Sequence, residues 1–228
     1  MGIKISKMKT RRSFFKILFR IAAGMMIGFN SGLSLISRAY AQSKRIVLPK
    51  GTKMTSLIDK NPADLDTRHL EVIPLTQFET MGLTDHETGL DTWRLKITGN
   101  VKKPLNLSYD QVLELPAIER NVLLLCPGFF TNHGKWKGIS VVELLRLAQP
   151  ESGITHVTFR GPPWRYEKTE RFPIAEVISD KIFLAYQVNG QTLPRKHGFP
   201  LRVVAEDHYV SEWVKYVHEV ETYTVDSL

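Results

Sequence analysis

The chain has 228 residues, of which 43% are apolar, 24% charged and 10% aromatic. That composition is globular and excludes a disordered, collagen-like or coiled-coil chain. The formal net charge of +8 is concentrated in residues 1–41, which hold eight Lys and Arg and no acid, so 42–228 carries 23 basic and 23 acidic residues. No bulk basic patch is left for a phosphate backbone, and nucleic acid is excluded as a partner.

Residues 1–41 have the three parts of an export signal: a basic start, an apolar middle from Ile17 to Ile36, and a small-residue end. Ala39-Tyr40-Ala41 predicts cleavage before Gln42, and Thr10-Arg11-Arg12-Ser13-Phe14-Phe15-Lys16 resembles a twin-arginine motif. A retained anchor is the alternative, but Arg20, Gly24, Gly28, Asn30 and Gly32 dilute the apolar run below what a spanning helix needs. The expectation is a periplasmic protein carried folded by the twin-arginine translocase, a route commonly used when a cofactor is inserted before export.

Residues 42–68 mix charge, Pro and Gly without a period and read as an extended lead-in to a domain over 69–228. Asp91 to Gly99 alternates apolar and polar residues and predicts a half-buried strand. Ser108 with Gln111 predicts a capping box and a short helix ended by Pro116. Asn121 to Leu125 is a buried strand by its continuous apolar run, and Ser140 with Glu143 predicts a second capping box opening a helix through Leu147. Strands are expected at Ile154–Phe159, Ile182–Val188, Leu201–Ala205 and Trp213–Thr224, and a helix at Pro173–Ser179. Asn189-Gly190 predicts a hairpin into Gln191-Thr192-Leu193. Short strands without βαβ alternation indicate an α+β fold of mixed β-sheets with short helices.

The single cysteine, Cys126, ends the apolar strand and precedes Pro127-Gly128, so its side chain falls at a sheet rim. An exported thiol without a partner is buried, paired with another chain, or bound to a ligand. Zinc is disfavoured because no second cysteine and no His-x-x-x-His pair is present. A Cys-His nucleophile with His133, His197 or His208 stays open, although no nucleophile elbow surrounds Cys126. No P-loop, GxGxxG, haem-attachment or Fe–S motif occurs. A second cluster, Arg195, Lys196, His197, Gly198 and Arg202, has the donors and the small residue that suit a phosphate-bearing ligand. Lys215, between Trp213-Val214 and Tyr216, is a cation among apolar neighbours and calls for an anion.

Taken in order, Cys126, Trp136-Lys137-Gly138, Leu144-Leu145, His197-Gly198-Phe199-Pro200-Leu201-Arg202 and Trp213-Val214-Lys215 resemble the molybdopterin-binding domain of the sulfite oxidase superfamily over about Leu75 to Tyr223. The resemblance implies a sulfite-oxidase-type fold and a molybdenum-molybdopterin cofactor whose metal is ligated by the Cys126 thiolate. A soft thiolate suits a metal that cycles between oxidation states. It further implies that Arg202 and Lys215 hold the pterin phosphate, that His197 hydrogen-bonds the pterin, and that Phe78, Glu79, Trp213 and Val214 lie beside it. Gly161 stands where sulfoxide reductases of this family have threonine, so its backbone alone is available.

Two departures bear on the substrate. The position two after the ligand cysteine, glutamate in the reductases, is Gly128, and the arginine that precedes the ligand in many relatives is Leu125. Arg160, Arg165 and Tyr166 form a basic, aromatic segment suited to a small oxyanion. The resemblance implies two-electron oxygen-atom transfer at sulfur, either sulfite oxidation or sulfoxide reduction, with a separate membrane or c-type cytochrome as electron partner. The short C-terminus favours a monomer. The alternatives are a cofactor-free secreted binding module on the same scaffold and the Cys-His thiol enzyme.

Overall fold

The computed structural model describes residues 45–163 and 167–224. The expected signal segment, and with it Arg165 and Tyr166, lies outside them. A short parallel pair, β1 (Ile46–Val47) with β2 (Leu65–Asp66), precedes two five-stranded sheets.

The first sheet contains β5 (Ala117–Cys126), β6 (Phe130–Ser140), β9 (Ile182–Val188), β10 (Gln191–Thr192) and β11 (Arg202–Ala205). All its pairings are antiparallel: β5 with β6, β6 with β9, and β10 and β11 with successive stretches of β9. The second contains β3 (Leu95–Gly99), β4 (Leu105–Leu107), β7 (His156–Arg160), β8 (Thr169–Pro173) and β12 (Glu219–Tyr223), ordered β4-β3-β12-β7-β8. Only β3 and β12 run parallel in it. Among the described residues three short α-helices accompany the sheets: α1 (Tyr109–Leu113), α2 (Val141–Ala148) and α3 (Ile174–Ile178). Among the described residues no helix is long and apolar enough to cross a membrane.

Strand β5 is apolar on successive residues because both of its faces are covered. Side chains alternate across a strand. Val122, Leu124 and Cys126 therefore enter the main core, while Leu123 and Leu125 pack with Leu48, Leu57, Leu65 and Leu70 on the other side. The segment before residue 71 thus supplies the second cover. Strand β6 is its opposite in composition, with Asn132, His133, Gly134, Lys135 and Gly138, and no local pattern marks it as a strand. Pairing holds it over ten consecutive positions against β5. A Cβ at Gly138 would sit 1.9 Å from the Leu184 carbonyl oxygen, so the strand needs glycine where β9 passes.

Several local signals form as expected. Ser108 and Gln111 make a reciprocal capping box on α1. Asn189 and Gly190 have φ of 51° and 74°, the left-handed pair that a two-residue hairpin turn demands. Helix α2 buries Val141, Leu144, Leu145 and Ala148, one stripe at helical spacing. Two expectations are corrected. Ser140 caps α2 by accepting from Val142 N, but its hydroxyl reaches Asp180, and Glu143 pairs with Arg146 instead of closing a box. The strand expected from Trp213 is only Glu219–Tyr223; Val210–Glu212 is a 3-10 turn, and Trp213 to Val217 runs irregularly beside residues 198–203. Bonds from Val203 N to Val214 O and from Val217 N to Leu201 O stand in for a ladder there.

Candidate functional site

The hairpin β5-β6 provides the floor. Its cross-strand pairs Cys126–Phe130, Leu124–Asn132 and Val122–Gly134 place these residues on one face. Residues 78–81 cross that face. The Phe78 ring lies over Gly134, where a Cβ would come within 2.6 Å of it, and is 5.9 Å from the Trp136 ring. Asn132, only 1% exposed, then clamps the next residue at both ends: its Oδ1 accepts from Glu79 N at 3.1 Å and its Nδ2 donates to Glu79 O at 2.7 Å. Two residues further on, the Met81 thioether lies 3.9 Å from the Cys126 thiol.

Cys126 is 4% exposed, and burial pushes its pKa up. Its contact is a thioether, not an imidazole. An activated thiol nucleophile needs an adjacent base or a depressed pKa; among the described residues Cys126 has neither of these arrangements. Among the described residues no group of three or more His, Cys, Asp or Glu is gathered to hold a metal ion. A metal at Cys126 therefore takes its other ligands from something other than these side chains.

The second half of the site is cationic and buried. Arg202, at the start of β11, is 1% exposed, with its guanidinium against two indoles that also contact each other, 5.2 Å from the Trp136 ring and 5.3 Å from the Trp213 ring. It donates to His197 O at 3.0 Å, but its Nε and second terminal nitrogen have no partner among the described residues. Burial pulls its pKa from 12.5 down to about 9. His197, also 1% exposed, stands edge-on to Phe78 at 5.9 Å with its Nε2 unpartnered among the described residues. Burial, with Arg202, Lys196 and Lys215 near it, lowers its pKa to about 3, so the imidazole is neutral. Gly198 has φ of 110°, and a Cβ on it would press within 3.0 Å of Lys215 and 3.2 Å of Arg202. Glycine at 198 lets these two cations approach the His197 turn.

Lys215 is half-buried, and burial with Arg202 lowers its pKa to about 7. Its ammonium faces four oxygens: Thr80 Oγ1 at 2.7 Å and the carbonyls of Met81, Leu83 and Lys196 at 2.9 Å each. Gly161 is buried beside the same turn, where a Cβ would stand 3.2 Å from Lys215 O and 3.6 Å from Val214 Cγ1. A threonine there would crowd that backbone.

The structure thus gathers Cys126, Phe78 and Glu79 on one face, His197, Trp213 and Lys215 near the buried Arg202 guanidinium, and Gly161 beside Val214 and the Lys215 backbone. The Phe78 ring and the Thr80–Met81 backbone join the two groups. Arg160 is used differently: its guanidinium pairs with Glu221 at 2.6 Å and approaches Glu219, across β7 and β12. Sequence reasoning misses Asn132, Thr80 and Met81. Their importance comes from a crossing chain 53 residues away from Asn132, which leaves no local pattern.

A buried cation with two unpartnered nitrogens is costly unless an anion joins it. An anionic, phosphate-bearing group meets that need, and the neighbouring His197 offers a neutral ring nitrogen. Residues 82–227, more than half of the chain, match the family model of the oxidoreductase molybdopterin binding domain. The chain belongs to that family. It is 31% identical over 162 residues to the protein-methionine-sulfoxide reductase catalytic subunit MsrP of Gluconobacter oxydans, covering 61% of this chain and 51% of the relative. It is 30% identical over 164 residues to the NADH nitrate reductase of Volvox carteri, covering 59% of this chain and 19% of that one. The chain thus spans about half the length of the first relative and a fifth of the second. The sulfane dehydrogenase SoxCD of Paracoccus pantotrophus shares the fold, with a TM-score of 0.57 at 23% identity, over 61% of this chain and 40% of that one. The α+β architecture is that of the sulfite oxidase superfamily.

Proposed function

We propose that this protein is an exported molybdopterin-dependent oxidoreductase that transfers an oxygen atom at sulfur, with Cys126 as the protein ligand to molybdenum. The observation that carries the proposal is the buried guanidinium of Arg202, with two nitrogens unpartnered among the described residues, against two indoles and beside the neutral His197. Arg202 holds the pterin phosphate, and His197 offers its unpartnered Nε2 to the pterin. Phe78, Glu79, Gly161, Trp213 and Val214 frame the group through ring faces and backbone. Lys215 reaches the phosphate only by exchanging one of its four oxygens. When bound, the molybdenum centre supplies two-electron oxygen-atom transfer, which side chains alone do not provide. The Cys126 thiol must give up its proton to act as a ligand, so loading favours higher pH.

The substrate class rests on relatives named for methionine sulfoxide and sulfane sulfur. Both sulfite oxidation and sulfoxide reduction stay within it, and electrons pass to or from a separate cytochrome. The twin-arginine motif and Ala39-Tyr40-Ala41 support export to the periplasm, with residues 42–228 as the mature chain. Protein exported from a pterin-producing host should contain about one molybdenum per chain by elemental analysis and begin at Gln42. It should turn over sulfite or methionine sulfoxide with a redox dye, and Cys126→Ser should abolish turnover with the circular dichroism spectrum retained. Unchanged turnover in that variant refutes the ligand assignment. A folded wild type without metal or pterin makes the chain a binding module instead.

A further inference from the structure

We propose that Lys215 is a positioning residue: it pins the Thr80–Leu83 strap so that the Met81 side chain screens the Cys126 sulfur from solvent. An ammonium has three protons to donate, and Lys215 faces four oxygens, three of them on this strap. The Thr80 hydroxyl also donates to Lys196 O at 3.3 Å, and Tyr216 donates to Leu83 O at 3.3 Å. Upstream, the strap is held by the Asn132 clamp on Glu79 and by Phe78 over Gly134. Between these anchors the strap passes the end of β5, with Met81 46% exposed and its sulfur 3.9 Å from a thiol that is 4% exposed. A half-exposed residue in contact with a buried atom is the layer that a reagent or substrate meets first. Met54, the other methionine among the described residues, packs against the leucine cluster behind β5.

The inference concerns the thiol proposed above as metal ligand, and it is tested without the metal. Cys126 is the sole cysteine of the chain, so alkylation of the full chain reports on one sulfur. The full chain is made in a host that lacks pterin synthesis, and the rate of iodoacetamide labelling is followed by intact mass. Met81→Ala should label about ten-fold faster. Lys215→Met should label about five-fold faster, the equivalent of one net hydrogen bond lost from the strap. Lys215→Arg keeps a donor cation at the same carbonyls and should return toward the wild-type rate. Thr80→Val removes one acceptor without touching the lysine and should give an intermediate rate; it carries the test if Lys215→Met does not fold. Leu144→Ala, in α2, weakens the whole fold and should leave labelling in native buffer unchanged. A wild-type rate in Met81→Ala, or in both Lys215→Met and Thr80→Val, overturns the proposal. So does a labelling rate that follows global stability across Leu144→Ala and Lys215→Met. A molybdenum-free wild type would sink the proposed function and leave this inference standing.

Discussion

Replacing Arg202 by methionine tests the idea that this buried guanidinium serves to bind an anion. Lowering a guanidinium pKa from 12.5 to about 9 corresponds to about 5 kcal/mol against the buried charge. The bond to His197 O and the two indole rings favour the charged form, but burial outweighs them. The buried charge is thus a net cost in the protein without cofactor. Methionine has similar length, packs against the same Trp136 and Trp213 rings, and adds apolar burial of about 1–2 kcal/mol. Arg202→Met should therefore be about 1–3 kcal/mol more stable than wild type without cofactor, and should recover no molybdenum or pterin. Urea unfolding of both proteins from a pterin-deficient host measures the first quantity, and elemental analysis after expression with pterin the second. A variant that is less stable than wild type by more than about 1 kcal/mol would falsify the reasoning, because Arg202 would then be a structural cation with its charge already compensated.

His197 gives a pH prediction of opposite origin. Its folded pKa of about 3 lies below its ordinary 6.5, so the unfolded chain takes up the proton first and stability falls as pH drops from about 6.5 toward 3. The slope is up to about 1.4 kcal/mol per pH unit, and His197→Gln should remove that contribution; an unaltered slope would show that other groups govern acid unfolding. Gly138→Ala should be among the most damaging small changes, costing about 3 kcal/mol or more, because the new Cβ meets the Leu184 backbone and cannot turn away. Gly128→Ala, with open space but φ of 74°, should cost only about 1–2 kcal/mol, and reversal of that order in urea melts would count against the β6–β9 geometry. Leu125→Ala should lose about 2–5 kcal/mol, since Leu125 is fully buried under the segment before residue 71.

Signals that act within a few residues are legible in the amino-acid sequence alone. The Ser108–Gln111 box, the Asn189-Gly190 turn and the apolar run ending in Cys126 each act through backbone geometry or burial that neighbouring residues settle among themselves. The order of Cys126, His197, Arg202 and Lys215 also carries the family resemblance, and with it the expectation that they serve one site. Strand β6 is illegible because its face is shaped by what crosses it: Gly134 admits the Phe78 ring, and Asn132 clamps Glu79. Trp213–Val217 looks like a strand by its apolar residues, yet tertiary packing against residues 198–203 holds it irregular. The role of each cation is likewise a matter of distance alone. Lys215 is encircled by four oxygens and Arg202 keeps two nitrogens unmatched, and nothing in the order of residues separates one positive charge from the other. Hydrogen-bond saturation depends on atoms brought from distant parts of the chain, which only the folded arrangement supplies.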